Sequence, residues 1–376
     1  MEQFFNPTKI CFGKNALDFL ETFPSQRIFL IADPFLTKSG MIQEITNHLK
    51  LGQYEVYDQI IPDPPVDLVI DGIKAISEYH PDVVVAVGGG SAIDAAKAIL
   101  YFKNQMDNTH RCLFIAIPTT SGTGSEVTSF SVITDQQKGV KYPLVDSAMR
   151  PDVAILDSIL VKSVPATIVA DTGMDVLTHS LEAYVSTKSN AFSDALAEKS
   201  IALVFEYLQR SYENPEDEEA KTMMHAASCM AGLAFDSVSL GLNHAIAHNI
   251  GGKFHVPHGR TNSILLPYVL EFNAHLTDYH QKDFSLAAEK YARISNLSGF
   301  GNTNIRCSVK ALIHQIQKLQ KQLHMPVSFR ECNITATEYE NQKKSLVQGA
   351  LKDACILTNP RTVTEEDVEK ILKKAF

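Results

Sequence analysis

The chain has 376 residues, a net charge of −9, and 45% hydrophobic and 20% charged residues, which is the composition of an ordinary globular protein with length for two or three domains. The acidic balance argues against a nucleic-acid partner, because affinity for phosphates comes mainly from Lys and Arg. No run of about eighteen apolar residues suits a membrane span, and the N-terminus lacks the basic head and apolar core of a secretion signal.

The cysteines are scattered along the chain, at Cys11, Cys112, Cys229, Cys307, Cys332 and Cys355. They form no CxxC pair and no dense framework, a distribution typical of reduced thiols. We therefore expect a cytoplasmic protein that binds neither nucleic acid nor membrane.

Up to about residue 160, short apolar runs alternate with amphipathic stretches, a pattern typical of a parallel sheet with crossover helices. The predicted strands are RIFLIAD, YEVYDQII, DVVVAVGG, CLFIAIP and DVAILD, and the predicted helices between them are VDLVIDGIKAISEY and SAIDAAKAILYF. Their continuous apolar character indicates burial on both faces. We predict a Rossmann-like α/β domain over residues 1–160, with its ligand at the carboxyl ends of the strands.

The remaining residues, 161–376, contain helical patterns and no convincing strand. The clearest are SDALAEKSIALVFEYLQRSYE, EEAKTMMHAASCMAGLAF, FSLAAEKYARISNLSG, VKALIHQIQKLQKQL and EEDVEKILKKAF. Pro165 suits the opening of the first of these helices. We predict an all-helical second domain.

The stretch VGGGSAIDAAKAI combines a strand, three glycines and a helix. Glycines such as Gly89 and Gly90 let a phosphate approach bare backbone N–H groups at a helix start, and Ser91 and Asp94 have the spacing of a capping box. The motif departs from GxGxxG, because Ile93 stands where the third glycine would fall. A plain tight turn between strand and helix would have the same composition.

Asp33 follows a buried strand, where its carboxylate can accept hydrogen bonds from the ribose hydroxyls of an adenosine. Its charge would repel a 2′-phosphate, which favours NAD over NADP. An Asp followed by Pro34 is also a common turn opener, and that alternative stays open.

The segment PTTSGTGSEVTSFSVITD, residues 118–135, places many hydroxyl side chains directly after an apolar strand. Thr119, Thr120 and Thr123 belong to it, and small hydroxyl residues with glycines suit a loop that wraps the phosphates and nicotinamide ribose of a dinucleotide. Lys141 offers a cation nearby, although most lysines are solvated surface residues.

The segment GLNHAIAHNIGGKFHVPHG, residues 241–259, holds four histidines. His244 and His248 would share one helix face, whereas His255 and His258 follow a Gly-Gly break. In GMDVLTHSLEAYV an Asp and a His are again four residues apart. These groups could form a site for a divalent transition metal, but spacing alone leaves open which of the four histidines bind.

These motifs resemble the iron-dependent (group III) alcohol dehydrogenases. The resemblance rests on GGGSAIDAAKAI, PTTSGTGSEVT, KYPLVDSAMRPDVAILD, ADTGMDVLTHSLEAYVS and NHAIAHNIGGKFHVPHGRTNSILLPYVLEFN, and it extends from FGKNAL to TNPR. Within the family the chain is most similar to propanol and ethanol dehydrogenases linked to bacterial microcompartments. It also resembles the alcohol dehydrogenase half of bifunctional aldehyde-alcohol dehydrogenases.

The resemblance implies specific roles for the site residues. The metal ligands would be Asp175, His179, His244 and His258, with His248 assisting proton transfer and His255 left without a role in binding. The cofactor residues it implies are Asp33 on the adenosine ribose, Gly89, Gly90 and Ser91 on the pyrophosphate, Thr119, Thr120 and Thr123 on the phosphate and nicotinamide side, and Lys141 near the ribose. One departure is Asp63, where many members have Asn.

The resemblance further implies the two-domain dehydroquinate synthase-like fold and an NAD(H)-dependent, iron-dependent conversion between short aliphatic aldehydes and primary alcohols, such as propanal and 1-propanol. The site would lie where the cofactor loops face the metal ligands, and the protein would form a homodimer or larger homo-oligomer, with microcompartment enzymes as further expected partners.

The sequence leaves three alternatives open: a zinc-type polyol dehydrogenase, an NAD-using lyase of the same superfamily, and a non-catalytic nucleotide or metal sensor. His179 favours the iron-type site over the glycerol dehydrogenase type, which lacks a His at that position. The donor set itself suits Fe²⁺ and Zn²⁺ alike.

Overall fold

The structure, a computed structural model, describes residues 3–49, 53–107, 109–136, 140–278 and 280–376. The chain forms two compact units. The first comprises Met1–Val164 and Pro215–Asp236, and the second comprises Pro165–Asn214 and Ser237–Phe376. This division differs from the expected one at residues 160 and 161, chiefly because residues 215–236 return to the first unit.

A six-stranded parallel sheet forms the centre of the first unit. Its strands are β1 (Lys9–Phe12), β2 (Arg27–Ala32), β3 (Gln53–Tyr57), β4 (Val83–Gly88), β5 (Leu113–Pro118) and β8 (Val153–Leu156). Their order is β1-β8-β5-β4-β2-β3, and a separate antiparallel hairpin consists of β6 (Phe130–Asp135) and β7 (Val140–Val145). The carboxyl ends of β2, β4 and β5 therefore lie side by side, which brings together the three loops that carry the predicted cofactor residues.

Some helices pack against the sheet in the first unit, and the others form the second unit. In chain order they are α1 (Pro34–Lys38), α2 (Ile42–Thr46), α3 (Val66–Tyr79), α4 (Gly90–Met106), α5 (Ala166–Val185), α6 (Ala191–Glu213), α7 (Glu218–Val238), α8 (Leu242–Phe254), α9 (His258–Ala274), α10 (Leu286–Leu297), α11 (Ile305–Gln322), α12 (Ala336–Lys352) and α13 (Glu365–Ala375). Within the described part of the chain, no helix is long and apolar enough to cross a bilayer.

Alternate residues of the central strands are buried on opposite faces of the sheet. Phe29, Ile31 and Val84 belong to the core shared with α3 and α4, whereas Ile28 and Leu30 belong to the core on the other face. Burial on both faces explains the uninterrupted apolar runs in the sequence.

α7 belongs to the first unit because it approaches the hydroxyl-rich loop at close range. A Cβ atom on Gly124 of the loop would lie 2.7 Å from Cα of Gly232 in α7, so two glycines are needed for the backbones to meet. The carboxylate of Asp236 accepts hydrogen bonds from the backbone N–H and the hydroxyl of Ser129, each at 2.7 Å. A helical sequence pattern predicts a buried face but not which unit buries it.

The described residues of the second unit form helices and no strand, as the sequence predicts. Residues of α8, α9, α12 and α13 form one of its cores, in which Ile246, Leu265, Leu346 and Leu372 are buried. α5 is buried along almost its whole length from Val169 to Val185. The predicted fold class, a parallel-sheet domain followed by a helical domain, is confirmed.

Candidate metal centre and cofactor-binding residues

α5 contributes two side chains that lie one helical turn apart. Asp175 and His179 are four residues apart on one face, and both are buried. His244 is buried in the first turn of α8. His258 is the first residue of α9, and 43% of its side chain is exposed. Three helices of the second unit thus supply one carboxylate and three imidazoles.

The four side chains converge at their ligand atoms. Oδ1 of Asp175 lies 3.7 Å from Nε2 of His244 and 3.8 Å from Nε2 of His258. Oδ2 of Asp175 lies 4.0 Å from Nε2 of His179, and one ligand atom from each residue lies within 4.8 Å of the others. Ligand atoms about 2.1 Å from a tetrahedral ion are about 3.4 Å apart, so small side-chain movements would suffice to hold one ion.

The electrostatics of the cluster favour a positive charge beside Asp175, either a proton on His244 or a metal ion that displaces it. Burial would raise the pKa of the Asp175 carboxyl, but the surrounding imidazoles outweigh it and lower that pKa well below its usual range. Burial also lowers the pKa of His244, yet the Glu182 and Asp175 carboxylates raise it, on balance, to about 9. The cluster therefore contains an ionised carboxylate at neutral pH, and with three imidazoles this donor set suits Fe²⁺ or Zn²⁺.

α9 begins in close contact with α5. A Cβ atom on Gly259 would lie 2.0 Å from the backbone oxygen of Asp171, so a larger residue would push the neighbouring His258 away from Asp175. Arg260 donates from Nε and Nη2 to the Asp171 carboxylate at 3.1 and 3.0 Å. The glycine and this two-pronged ion pair fix the start of α9 beside α5.

The other two histidines of the 241–259 segment are not among the four converging side chains. The ring of His248 stacks on that of His258, with 5.4 Å between centroids and 10° between planes. Its Nδ1 lies 2.9 Å from Oδ2 of Asp353, and together with Cys355 these residues form a second group of ligand-type atoms. His255 is the exposed residue with φ of 54° at the end of α8.

Two buried residues contact the cluster although the sequence analysis does not single them out. Oε2 of Glu182 lies 2.5 Å from Nδ1 of His244. Nδ2 of Asn262 donates to Oδ1 of Asp175 at 2.7 Å and lies 3.0 and 3.1 Å from Nε2 of His244 and His258. Glu182 follows His179 by three residues on α5, and Asn262 follows His258 by four residues on α9. This helical spacing is the one sequence signal that could have indicated the two residues.

The glycine turn and Asp33 are neighbours in the first unit. Oδ1 of Asp33 accepts hydrogen bonds from the N–H groups of Phe35 at 2.8 Å and Leu36 at 3.3 Å, and so caps α1. Gly88, at the end of β4, has φ of 151°. A Cβ atom there would lie 2.6 Å from Cβ of Ala92 and 3.5 Å from Oδ2 of Asp33. The turn therefore requires glycine, and one Asp33 oxygen faces it.

The loop after β5 lies against the start of α4. A Cβ atom on Gly89 would lie 3.5 Å from Oγ1 of Thr120, and one on Gly90 would lie 2.8 Å from Cγ2 of Thr123. Thr119 is buried, and its backbone N–H donates to the backbone oxygen of Gly88 in β4 at 3.0 Å. The first N–H groups of α4 and these hydroxyls form a polar surface of the kind that binds phosphates.

The predicted capping box of Ser91 and Asp94 is wrong. α4 begins at Gly90 behind Gly89, so Ser91 lies within the helix. The carboxylate of Asp94 instead accepts a hydrogen bond from Oγ of Ser125 at 2.6 Å. Asp94 therefore fixes the hydroxyl-rich loop to α4, a long-range contact that local spacing does not reveal.

A buried lysine strengthens the same attachment. Lys97 is 1% exposed, and its Nζ donates to Oγ of Ser125 at 2.9 Å, Oγ1 of Thr128 at 3.0 Å and the backbone oxygen of Phe130 at 2.8 Å. Burial lowers its pKa to about 8, although the nearby Asp94 carboxylate opposes the shift. Three oxygen partners offset much of the cost of burying this group.

Lys141 and Asp63 both belong to the first unit. The side chain of Lys141 lies outside the described part of the structure, and its role near the ribose stays a prediction. Asp63 has φ of 53°, a left-handed conformation that Asn and Asp adopt more readily than other residues with side chains. The change from Asn to Asp at this position is therefore compatible with the backbone.

Two family models match the chain. The model described as iron-containing alcohol dehydrogenase matches residues 7–158, and the model described as Fe-containing alcohol dehydrogenase family, C-terminal, matches residues 169–376. The chain belongs to the iron-containing alcohol dehydrogenase family.

Individual relatives support the same assignment. The chain is 43% identical to the 1-propanol dehydrogenase PduQ of Citrobacter freundii, covering 100% of both chains. It is 37% identical to the NADPH-dependent butanol dehydrogenase of Clostridium saccharobutylicum, covering 100% of this chain and 98% of the relative. The solved structure of sulfoacetaldehyde reductase from Bifidobacterium kashiwanohense in complex with NAD⁺ matches with a TM-score of 0.87 at 28% identity, covering 100% of this chain and 98% of that chain.

These findings confirm the family, the fold class and the enzyme class expected from the sequence. The protein is an oxidoreductase of the iron-containing alcohol dehydrogenase type. The residue-level assignments of metal ligands, cofactor contacts and the proton carrier stay predictions.

We predict that His179→Ala removes a ligand and loses bound iron during desalting, with loss of turnover, because three remaining ligands hold an exchangeable ion weakly. Metal content by mass spectrometry, measured together with activity, checks this. His248→Ala is the matched control, since it removes a neighbouring ring outside the cluster and should retain its iron. A His179→Ala enzyme with full metal content and normal turnover would show that the ligand assignment is wrong.

Proposed function

We propose that the enzyme interconverts short aliphatic aldehydes and primary alcohols, with propanal and 1-propanol as the leading pair, using NAD(H). In this proposal Asp175, His179, His244 and His258 hold the iron. The observation that carries it is the convergence of one carboxylate and three imidazoles in a chain of the iron-containing alcohol dehydrogenase family. The preference for propanal rests on the similarity to a 1-propanol dehydrogenase.

The four proposed ligands would place the metal where the substrate oxygen must bind. An iron ion held there would supply Lewis-acid stabilisation of the alkoxide charge that develops during hydride transfer. The chain's own contribution is rigidity, because α5 is buried along almost its whole length and Gly259 and Arg260 fix the start of α9. Rigid ligands lower the reorganisation needed at the moment of reaction.

His248 is the proposed proton carrier. Its Nδ1 is engaged by Asp353 at 2.9 Å, which leaves Nε2 as the atom that can accept a proton from the alcohol or pass one to the aldehyde oxygen, directly or through water. The side chain is 43% exposed, so the same nitrogen can exchange its proton with solvent. The stacking on His258 places the ring next to a proposed ligand.

The cofactor would be held by the loops after β2, β4 and β5. Oδ1 of Asp33 caps α1, and Oδ2 faces Gly88 at the end of β4. The position of Oδ2 beside this glycine supports the proposed contact of Asp33 with the adenosine ribose. Gly89, Gly90 and Ser91 at the start of α4 would take the pyrophosphate. Thr119, Thr120 and Thr123, with Lys141, would take the phosphate and nicotinamide side.

The wider setting of the enzyme follows from the resemblance alone. We propose a homodimer or larger homo-oligomer, and residence in a bacterial microcompartment together with other enzymes that act on the same aldehydes. Size-exclusion chromatography with light scattering and co-purification with a microcompartment shell test these two points.

We predict that the purified, iron-loaded enzyme oxidises NADH anaerobically in a one-to-one ratio with added aldehyde. Ethanal, propanal, butanal and lactaldehyde form the panel, and propanal should give the highest kcat/KM, with zinc-loaded enzyme slower. Metal-free enzyme is the control. Aldehyde consumption without net NADH oxidation would indicate a lyase, and stable NADH binding without turnover on any aldehyde would indicate a sensor.

We also predict that Asp33→Asn shifts the cofactor preference towards NADPH. Asn retains an oxygen that can cap α1 but lacks the charge that would repel a 2′-phosphate. The ratio of kcat/KM for NADPH to that for NADH should rise at least about tenfold, which corresponds to about 1.4 kcal/mol. An unchanged ratio would contradict the placement of Asp33 at the ribose.

A further inference from the structure

α5 carries a further buried carboxylate close to the proposed metal ligands, that of Glu182. Glu182 follows His179 by three residues and is only 3% exposed. Its Oε2 lies 2.5 Å from Nδ1 of His244, and its Oε1 accepts a hydrogen bond from the backbone N–H of Asn243 at 2.6 Å. A buried carboxylate is costly unless both oxygens have partners, and here both do.

We propose that Glu182 is the positioning residue of the metal centre, acting on the metal through His244. A carboxylate at Nδ1 keeps the proton on that nitrogen, so the lone pair of the imidazole stays on Nε2. Nε2 is the atom that faces Asp175, at 3.7 Å. An anionic partner also makes an imidazole a stronger electron donor and fixes the plane of its ring.

The surroundings of Glu182 are shaped to accept its carboxylate. A Cβ atom on Gly241 would lie 2.9 Å from Oε1 of Glu182, so a side chain at this position would displace the carboxylate. Gly241 also has no side chain with which to cap α8. The first N–H groups of α8 are satisfied from elsewhere instead, Leu242 by Oδ1 of Asn359 at 3.2 Å and Asn243 by Glu182.

This arrangement provides a matched comparison. Glu182 and Asn359 both accept hydrogen bonds at the start of α8, but only Glu182 touches the imidazole of His244. If Glu182 served only to cap the helix, loss of Asn359 would have a similar effect on the metal site. If Glu182 orients His244, its removal alone should weaken metal binding.

The test is metal affinity, measured apart from activity. Wild type, Glu182→Gln and Asn359→Ala are loaded with zinc, and the metal is titrated against a chromogenic chelator. Gln keeps the size of the side chain but retains a single acceptor oxygen. We expect the Kd of Glu182→Gln for zinc to rise about 10- to 100-fold, with faster metal release, while that of Asn359→Ala stays within about threefold of wild type.

Equal affinity in wild type and Glu182→Gln, or an equal loss in both variants, would overturn the proposal. Circular dichroism and thermal unfolding of the metal-free proteins establish that the variants fold. If Glu182→Gln fails to fold, Glu182→Asp decides instead, because its side chain keeps the charge but is shorter and withdraws the carboxylate from Nδ1 of His244. A Kd for zinc equal to that of wild type would then overturn the proposal.

The inference rests on the proposed metal site, and the two can fail separately. If the wild-type protein binds no metal, the proposed metal site and the role of Glu182 both fail. If wild type and Glu182→Gln bind the metal equally tightly, the proposed function still stands and only the role of Glu182 is contradicted.

Discussion

The centre of the second unit depends on one constraint, which is that the side chains of the four proposed metal ligands, from three helices, converge with their ligand atoms within 4.8 Å of one another. Asp175 and His179 satisfy it through helical spacing alone, because they share a face of α5. His244 and His258 satisfy it through packing, and a Cβ atom at Gly259 would lie only 2.0 Å from the backbone of α5. The buried polar groups around the ligands follow from the same need, because a charged cluster inside a helical core requires oriented partners.

The first unit uses buried polar contacts for a comparable purpose. Its hydroxyl-rich loop contains one short 3-10 helix, Ser125–Val127, before β6. The side chains of Asp94 and Lys97 fix this loop to α4. The glycines of the β4 turn then allow the threonines of the loop to approach the start of the helix. Local backbone freedom and buried charge therefore combine to shape a surface that suits a dinucleotide.

The sequence predicts the regular parts of this fold well, for physical reasons. α3 extends over Val66–Tyr79, as its amphipathic pattern indicates, and the five predicted strands are present. Four of them are continuous apolar runs, whereas β3 contains Gln53 and Glu55 and is only partly buried. β1 and the hairpin of β6 and β7 are missed. β1 has only four residues and begins with Lys9, so it lacks the long apolar run on which the prediction relies.

The site is predictable where chemistry repeats at helical spacing and not where it depends on packing. The Asp-x-x-x-His pair and the histidine-rich segment are visible in the sequence, and the resemblance selects among the four histidines. Glu182, Asn262 and Lys97 escape notice because isolated Glu, Asn and Lys residues in helices are usually solvated. Only the fold shows that these three are buried and face a ligand or a loop.

The central claim, that the iron is held by one carboxylate and three imidazoles, is tested most directly by X-ray absorption spectroscopy at the iron edge of the loaded enzyme. The account predicts an inner shell of nitrogen and oxygen atoms only, with the multiple-scattering pattern of about three imidazoles. The neighbouring group of His248, Asp353 and Cys355 offers a contrasting ligand set. A sulfur atom in the inner shell would place the metal there and contradict the account.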